Sequence, residues 1–158
     1  TAFGMFANVI VKTTDGGVSW DSLTANAFFG QSFSKINFRD ANTGMASGDG
    51  ALLVKTTDGG AAFTQVTFPS VSQICALAFD APNYGLISTV KLIAAGVSAY
   101  AIHRTTDFGD SWTQVYADTL SGTNGLIHRT VSEFALVGSA HVYAVERFLN
   151  KVRAETSD

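Results

Sequence analysis

Hydrophobic and polar residues alternate over short stretches of this chain, and no stretch repeats with the period of an amphipathic helix. In residues 35–38, for example, Ile36 and Phe38 face one way and the polar residues beside them face the other. Residues 52–54 are continuously apolar, which is typical of a strand covered on both faces. Clusters of Gly, Asp and Asn, which favour turns, separate these stretches. The pattern predicts an all-β chain of short strands joined by tight turns.

The predicted strands fall into units of four. In the clearest unit they are residues 35–38, 45–47, 51–56 and 63–68. In the next unit they are residues 74–79, 86–90, 100–104 and 112–116. The remaining strands are predicted at residues 9–12, 20–23, 126–131, 134–137, 142–148 and 152–156. Residues 91–98 are predicted to form an extra turn or to lengthen one hairpin, because that unit is longer than the one before it.

One ten-residue phrase occurs three times, each time at the predicted hairpin between the third and fourth strands. It reads VKTTDGGVSW at residues 11–20, VKTTDGGAAF at 54–63 and HRTTDFGDSW at 103–112. The spacings from Asp15 to Asp58 and from Asp58 to Asp107 are 43 and 49 residues. The chain ends on Thr-Ser-Asp, which resembles the start of the phrase, and its Asp158 lies 51 residues after Asp107. Periods of about 40–50 residues are typical of propeller blades, which contain four strands each.

The three phrases resemble the Asp-box, or BNR, repeat, which reads Ser/Thr-x-Asp-x-Gly-x-Ser/Thr-Trp/Phe. The second copy departs from it at Ala62. The stretch NTGMASGDGALLVKTTDGG most resembles the subtype found in the lumenal photosystem II assembly factor and in many secreted bacterial proteins. The resemblance implies a β-propeller segment of about three four-stranded blades, with an Asp-box hairpin in each. Its predicted parts within residues 1–158 are a partial blade at 1–28, blades at 29–70 and 71–120, and a partial blade at 121–158.

The box residues are predicted to stabilise the hairpin rather than to perform chemistry. The Asp would accept hydrogen bonds from N–H groups two or three residues on, and the Gly would supply a positive φ. The Thr hydroxyl would brace the turn, and the aromatic ring would fold back over it and be mostly buried. The residues given this structural role are Thr13, Asp15, Gly17, Trp20, Thr56, Asp58, Gly60, Phe63, Thr105, Asp107, Gly109 and Trp112.

The alternative is that the box aspartates are catalytic or bind metal. Equivalent residues of a ring of repeats lie far apart, which argues against their acting on one substrate. A sialidase needs an arginine cluster and a Tyr–Glu pair, and a xyloglucanase needs two aspartates facing each other across a cleft. The residues considered for these sites were Arg39, Arg104, Arg129, Arg147, Arg153, Glu133, Glu146, Glu155, Asp40, Asp80 and Asp118, and none forms a recognisable motif.

Composition removes several other functions. The net charge of -3 does not favour nucleic acid as a partner. His103, His128 and His141 lack the spacing of zinc ligands, and the single cysteine, Cys75, cannot form an internal disulfide. No apolar run approaches the ~20 residues of a membrane-spanning helix. We therefore predict no catalytic, cofactor-binding or metal-binding residue, no cofactor and no membrane span.

Two hypotheses about function follow. The first is a non-catalytic scaffold or binding module that recognises a protein or a glycan and lies in a secreted, periplasmic, lumenal or surface-assembled protein. The second is a fragment of an Asp-box glycoside hydrolase or sialidase whose catalytic residues lie largely elsewhere. Because propellers close with about four to eight blades, we expect other polypeptide to complete this one, from the same parent chain or from neighbouring subunits.

Overall fold

The structure, a computed structural model, describes residues 1–6, 9–23, 31–68, 71–80, 83–95, 97–121, 131–137, 141–146 and 154–156. The strands in these ranges form four antiparallel sheets, and strands adjacent in the sequence are adjacent in each sheet. The only helical element in the described ranges is a short 3-10 turn at Asp49–Ala51. The prediction of an all-β chain is therefore confirmed. The chain divides into two compact units, Thr1–Thr67 and Phe68–Asp158.

The first unit contains a three-stranded and a four-stranded sheet. The strands of the first sheet are β1 (Ala2–Phe6), β2 (Val9–Thr13) and β3 (Asp21–Leu23). The strands of the second sheet are β4 (Phe33–Phe38), β5 (Gly44–Gly48), β6 (Leu53–Thr56) and β7 (Thr64–Gln65). Both sheets keep the chain order of their strands from one edge to the other. Each therefore has the up-and-down connectivity of a propeller blade.

Strand β1 was not predicted from the sequence. It pairs with β2 over its whole length, from Ala2 opposite Thr13 to Phe6 opposite Val9. Ala2 lies opposite the box residue Thr13 as Gly44 lies opposite Thr56, so β1 holds the position in its sheet that β5 holds in the second sheet. The first sheet therefore has three strands, one more than the two predicted at residues 9–12 and 20–23.

Apolar residues from both sheets form the core of the first unit. Its buried members are Ile10, Phe33, Ala46, Leu52 and Val54, and Leu23, Ile36 and Phe63 pack against them. Leu53 and Val54 are successive residues of β6 whose side chains point to opposite faces, and both are fully buried, in agreement with a middle strand covered on both faces. Burial of these apolar side chains is what holds the two small sheets together, because removing apolar surface from water is the main favourable contribution to folding.

The second unit also contains two sheets. The strands of its four-stranded sheet are β8 (Gln73–Asp80), β9 (Tyr84–Ala94), β10 (Val97–Thr105) and β11 (Thr113–Ser121). The strands described in its other sheet are β12 (Val131–Val137), β13 (His141–Glu146) and β14 (Ala154–Thr156). Residues 91–94 and 97–98 lengthen the hairpin of β9 and β10, as predicted, with Ala94 opposite Val97. The predicted strand residues 126–130, 147–148 and 152–153 and the final Ser-Asp lie outside the described residues.

The two sheets of the second unit pack through small and apolar side chains. Ala76, Ala78, Leu86 and Phe134 are the buried members of this cluster. A hydrogen bond also joins the sheets, since the Ser88 hydroxyl donates to the backbone oxygen of Val131 at 2.6 Å. The described strands fall close to the predicted blade limits, with β11 running one residue beyond 120. The division into blades stays a prediction.

Candidate functional site

Each Asp-box turn is built around a buried threonine hydroxyl. In the second copy, the Thr56 hydroxyl donates to Asp58 Oδ1 at 2.8 Å and accepts the Gly60 N–H at 3.0 Å. Thr56 is 2% exposed, so the hydroxyl satisfies a backbone donor that water does not reach. The first and third copies make the same two contacts, through Thr13 and Thr105, at distances between 2.7 and 2.9 Å.

The aspartates lie on the exposed side of the same turns. Each carboxylate accepts the N–H four residues on, at 3.0 Å from Ser19, 3.0 Å from Ala62 and 2.9 Å from Ser111. Asp15 also accepts the N–H three residues on, from Val18. The donor N–H thus lies mostly four residues after the aspartate, further along the chain than the predicted two or three. The separation is longer because these turns include two consecutive residues with positive φ.

Hydrogen bonding lowers the pKa of all three box carboxyls below the ordinary aspartate value. In the first copy the Ser19 hydroxyl makes the largest contribution to the lowered pKa of Asp15. In the third copy the Ser111 hydroxyl does the same for the pKa of Asp107. In the second copy Ala62 has no hydroxyl, and its N–H is the main cause of the lowered pKa of Asp58. A carboxylate held ionised in this way is a poor general acid at neutral pH.

Two consecutive residues of each box adopt left-handed backbone. Gly17, Gly60 and Gly109 have φ of 94, 88 and 80°, as the turn requires. The residue before each is Gly16, Gly59 or Phe108, with φ of 78, 72 and 55°. Phe108 is therefore a bulky residue in a region that side chains rarely occupy. Its ring is 8% exposed and meets the Phe79 ring edge-on at 5.5 Å, and this packing offsets the unfavourable backbone.

The aromatic residues that close the boxes are not equally covered. Trp112 is half-buried and meets the rings of Phe68 and Phe79 edge-on, at 5.4 and 6.1 Å. Phe63 packs against the core of the first unit. Trp20, by contrast, is 48% exposed, so the prediction that all three are mostly buried is wrong. The Trp20 ring lies over the backbone of Gly4 and Gly17, and neither residue has a side chain that could cover more of the ring.

A second repeated turn supports each of the two later boxes; its Asp, Asn and Gly residues predict a turn, but its supporting role was not predicted. It joins the first and second strands of a sheet and reads DANTG at residues 40–44 and DAPNYG at 80–85. The backbone oxygen of Asn42 accepts the Gly59 N–H at 2.7 Å, and the backbone oxygen of Asn83 accepts the Phe108 N–H at 3.1 Å. The turn thus fixes the first left-handed residue of the box. The shared Asp-Ala-(x)-Asn pattern could have revealed it.

Near the end of the strand before each of these turns, a phenylalanine covers a glycine at the start of the next strand. Phe38 pairs with Gly44, and Phe79 pairs with Gly85. A methyl group on Gly44 would lie 2.5 Å from the Phe38 ring, so only glycine leaves room for it. The Phe38 ring is in turn stacked on Phe3 with centroids 3.5 Å apart. The glycine therefore allows a ring contact between the two sheets of the first unit.

The other charged residues considered from the sequence form no common site in the described part of the chain. Arg39 pairs with the adjacent Asp40 at 3.2 Å, and Arg104 is exposed. Within the described ranges, no three His, Cys, Asp or Glu side chains are grouped so that they could hold a metal ion. Arg129, Arg147, Arg153 and His128 lie outside the described residues. In the described ranges, no helix is long and apolar enough to cross a membrane.

Comparison with known proteins gives the chain a family context. Residues 4–143 match the sequence model of a family described as the photosynthesis system II assembly factor YCF48. Two solved structures are similar. One, described as YCF48 from Cyanidioschyzon merolae, has 16% identity over 94% of this chain, with a TM-score of 0.58. The other, described as YCF48 bound to D1 peptide, has 18% identity over 77% of this chain, with a TM-score of 0.52. No curated protein matches the chain.

These similarities establish the fold. At this level of identity the two solved structures show a shared architecture, and the predicted β-propeller segment is confirmed. The aligned part makes up 49% of the first relative and 38% of the second, so the chain spans less than half the length of either.

Proposed function

Because the chain belongs to the family of the photosynthesis system II assembly factor YCF48, we propose that it is a non-catalytic, protein-binding part of a β-propeller. The family match over residues 4–143 carries this proposal, since it covers both units of the chain. The box carboxylates support it, because their lone pairs are used by N–H and hydroxyl groups of their own turns.

The ligand we propose is a peptide segment of a protein that is being assembled. One structural relative is described as bound to D1 peptide, and a peptide of this kind is the first candidate for the present chain. Since the chain spans less than half of that relative, the site can include residues of other polypeptide that completes the propeller. A glycan ligand is a second candidate, on the weaker ground that other Asp-box propellers act on sugars.

We further propose a lumenal or secreted location, which fits an assembly factor of this family. The twelve box residues have a structural role in this proposal. The buried Thr13, Thr56 and Thr105 hold the turns, and the aspartates brace them from the exposed side. A glycoside hydrolase or sialidase fragment is the alternative function, and nothing in the geometry of the described residues favours it.

Binding and hydrolysis assays on the same preparation separate the two functions. Fluorescence anisotropy with a labelled D1 peptide, and with a scrambled peptide of the same composition as control, measures recognition. Fluorogenic sialosides and xyloglucan oligosaccharides measure hydrolysis. We expect saturable binding of the D1 peptide and no turnover above that of heat-denatured protein. Turnover that is lost on substitution of a carboxylate would contradict the proposal, and so would equal binding of the two peptides.

A further inference from the structure

The outer strands of the sheets differ greatly in length. In the first two sheets the outer strands, β3 and β7, have three and two residues, whereas β11 has nine. Very short outer strands protect a sheet, because they offer few unpaired N–H and C=O groups to other chains. Strand β11 is the last strand of its sheet, so its outer side has no strand partner among the described residues. This blade therefore lacks the protection that the two earlier ones have.

The pairing of β11 shows which part of its edge is regular. A register shift opposite Ile102 and His103 makes Val115 an extra residue. From Tyr116, opposite Ile102, to Ser121, opposite Val97, the pairing with β10 is uninterrupted. Bulges turn a strand edge away from partners, but the six residues beyond this bulge are regularly paired with β10. A further strand could pair with this part of β11.

The hairpin that extends this sheet is exposed and almost uncharged. Residues 91–99 contain one charged side chain, that of Lys91. Leu92 and Ile93 point to opposite faces of the sheet and are 61% and 50% exposed. On β11 itself, Tyr116 is 52% exposed. Exposed apolar groups of this kind are typical of surfaces that bind another protein.

Asp118 supplies a charge on the same edge. It is two residues from Tyr116, so both side chains lie on the face that also carries Leu92. Asp118 is half-buried, and its carboxylate accepts the Thr119 N–H at 2.7 Å. No Lys, Arg or His nitrogen of the described residues is within ion-pair distance of it. A partner with a basic side chain at this position would complement it.

We propose that the outer edge of β11, from Tyr116 to Ser121, binds an extended segment of a partner protein as a fifth strand. A basic side chain of the segment faces Asp118, and an apolar side chain two residues away packs on Tyr116. An extended backbone can use the edge groups that have no strand partner among the described residues, and the Asp118 carboxylate, which has no ion-pair partner among them, selects the basic residue. The inference rests on the proposed protein-binding function and gives it a site.

Backbone methylation of a short probe peptide tests strand addition. The probe is the acetylated and amidated peptide TVTKTVT, whose lysine and valines share one face when it is extended. Only alternate N–H groups of an added strand point toward the sheet. We expect that N-methylation of one alternate set weakens binding by about tenfold or more, and that methylation of the other set has little effect. Equal effects of the two sets would overturn strand addition.

Reversal of the charge at Asp118 tests whether the proposed site lies at this position of β11. We expect Asp118→Lys to weaken the binding of TVTKTVT about fivefold and to favour TVTETVT by a similar factor. Asp21→Lys, the same change on the short outer strand β3, is the matched control and should alter neither affinity. Thermal melts establish that both variants are folded. If both variants behave alike, the site is not at Asp118. A dimer of this chain that forms through β11 and that the peptide does not dissociate would also overturn the proposal.

The D1 peptide separates this inference from the proposed function. If the D1 peptide binds and Asp118→Lys leaves its affinity unchanged, the function stands and the β11 site is wrong for that ligand. If TVTKTVT shows alternate methylation sensitivity while no D1 peptide binds, the β11 site stands and the proposed ligand is wrong.

Discussion

At the scale of single residues, the threonine of each box is more deeply buried than the aspartate that names the motif. Thr56 is 2% exposed and accepts a buried N–H, whereas the Ala62 N–H bound by Asp58 is exposed. Loss of a bond to a buried donor costs its full desolvation, while water can replace an exposed acceptor. The hydroxyl should therefore contribute more to stability than the carboxylate does.

We expect Thr56→Val to lower the free energy of unfolding by about 1–3 kcal/mol, because it keeps the shape of the side chain and leaves the Gly60 N–H without a partner. Asp58→Ala should cause a smaller loss. Thr57→Val is the matched control, since Thr57 is exposed in the same turn. Urea unfolding of the three variants measures the free energy of unfolding of each and so ranks the three losses. A larger loss for Asp58→Ala than for Thr56→Val would show that the carboxylate dominates.

A second residue-scale prediction concerns His103, which stands where the earlier copies of the phrase have Val11 and Val54. It is 5% exposed, its Nε2 lies 3.2 Å from the Thr89 hydroxyl, and the Phe68 ring meets it edge-on. Burial lowers the pKa of His103 below its ordinary value of about 6.5. The unfolded chain therefore binds a proton more readily than the folded chain does. The stability contributed by the neutral ring is present above about pH 6.5 and is lost as the pH falls toward the folded pKa.

We expect His103→Val to flatten the fall in stability as the pH drops below about 6.5. Denaturant unfolding at a series of pH values measures this slope for both proteins. Because valine occupies the equivalent, fully buried position 54, the variant should fold. An unchanged slope would mean that another group controls the response.

At the scale of elements, the turns depend on glycines for two separable reasons. Gly16 and Gly60 both have positive φ, but they differ in surroundings. A methyl group on Gly16 would meet nothing within 4 Å, whereas one on Gly60 would overlap the Leu23 side chain. We expect Gly16→Ala to cost about 1–2 kcal/mol for the left-handed backbone alone. Gly60→Ala should cost clearly more, because Leu23 must also move. Equal losses in urea unfolding would indicate that Leu23 relaxes freely.

The elements also show what the sequence could predict. The hairpins were predictable because a local phrase of Thr, Asp and two turn residues determines each of them, as the matching hydrogen bonds at Thr13, Thr56 and Thr105 show. The lengths of the strands were not predictable, because they depend on pairing with residues that are distant in the sequence. The predicted strand 63–68 is reduced to Thr64–Gln65, while the predicted strand 112–116 extends to Ser121. The exposure of Trp20 was also unpredictable, since it depends on what covers the ring and not on the box itself.

At the scale of the whole molecule, several apolar groups of the first sheet and its hairpin turn are left uncovered. Val18, Trp20 and Val9 are 87%, 48% and 38% exposed. In the equivalent third box, Phe68 and Phe79 cover the tryptophan. Apolar groups collected on one sheet favour association with another surface. The family relatives, which are more than twice as long as the matched part of the chain, have further polypeptide that can supply such a surface.

We therefore expect residues 1–158, produced alone, to self-associate in a concentration-dependent way. Burial of the exposed part of Trp20 and its apolar neighbours would drive the association, so Trp20→Thr combined with Val9→Thr should reduce it. Ile93→Thr, which removes an exposed apolar group from a different sheet, is the control for a general gain in solubility. Light scattering and native mass spectrometry measure the mass of each protein over a range of concentrations. A monomer that stays soluble at high concentration and melts cooperatively would contradict the prediction, because it would show that the first sheet needs no further cover.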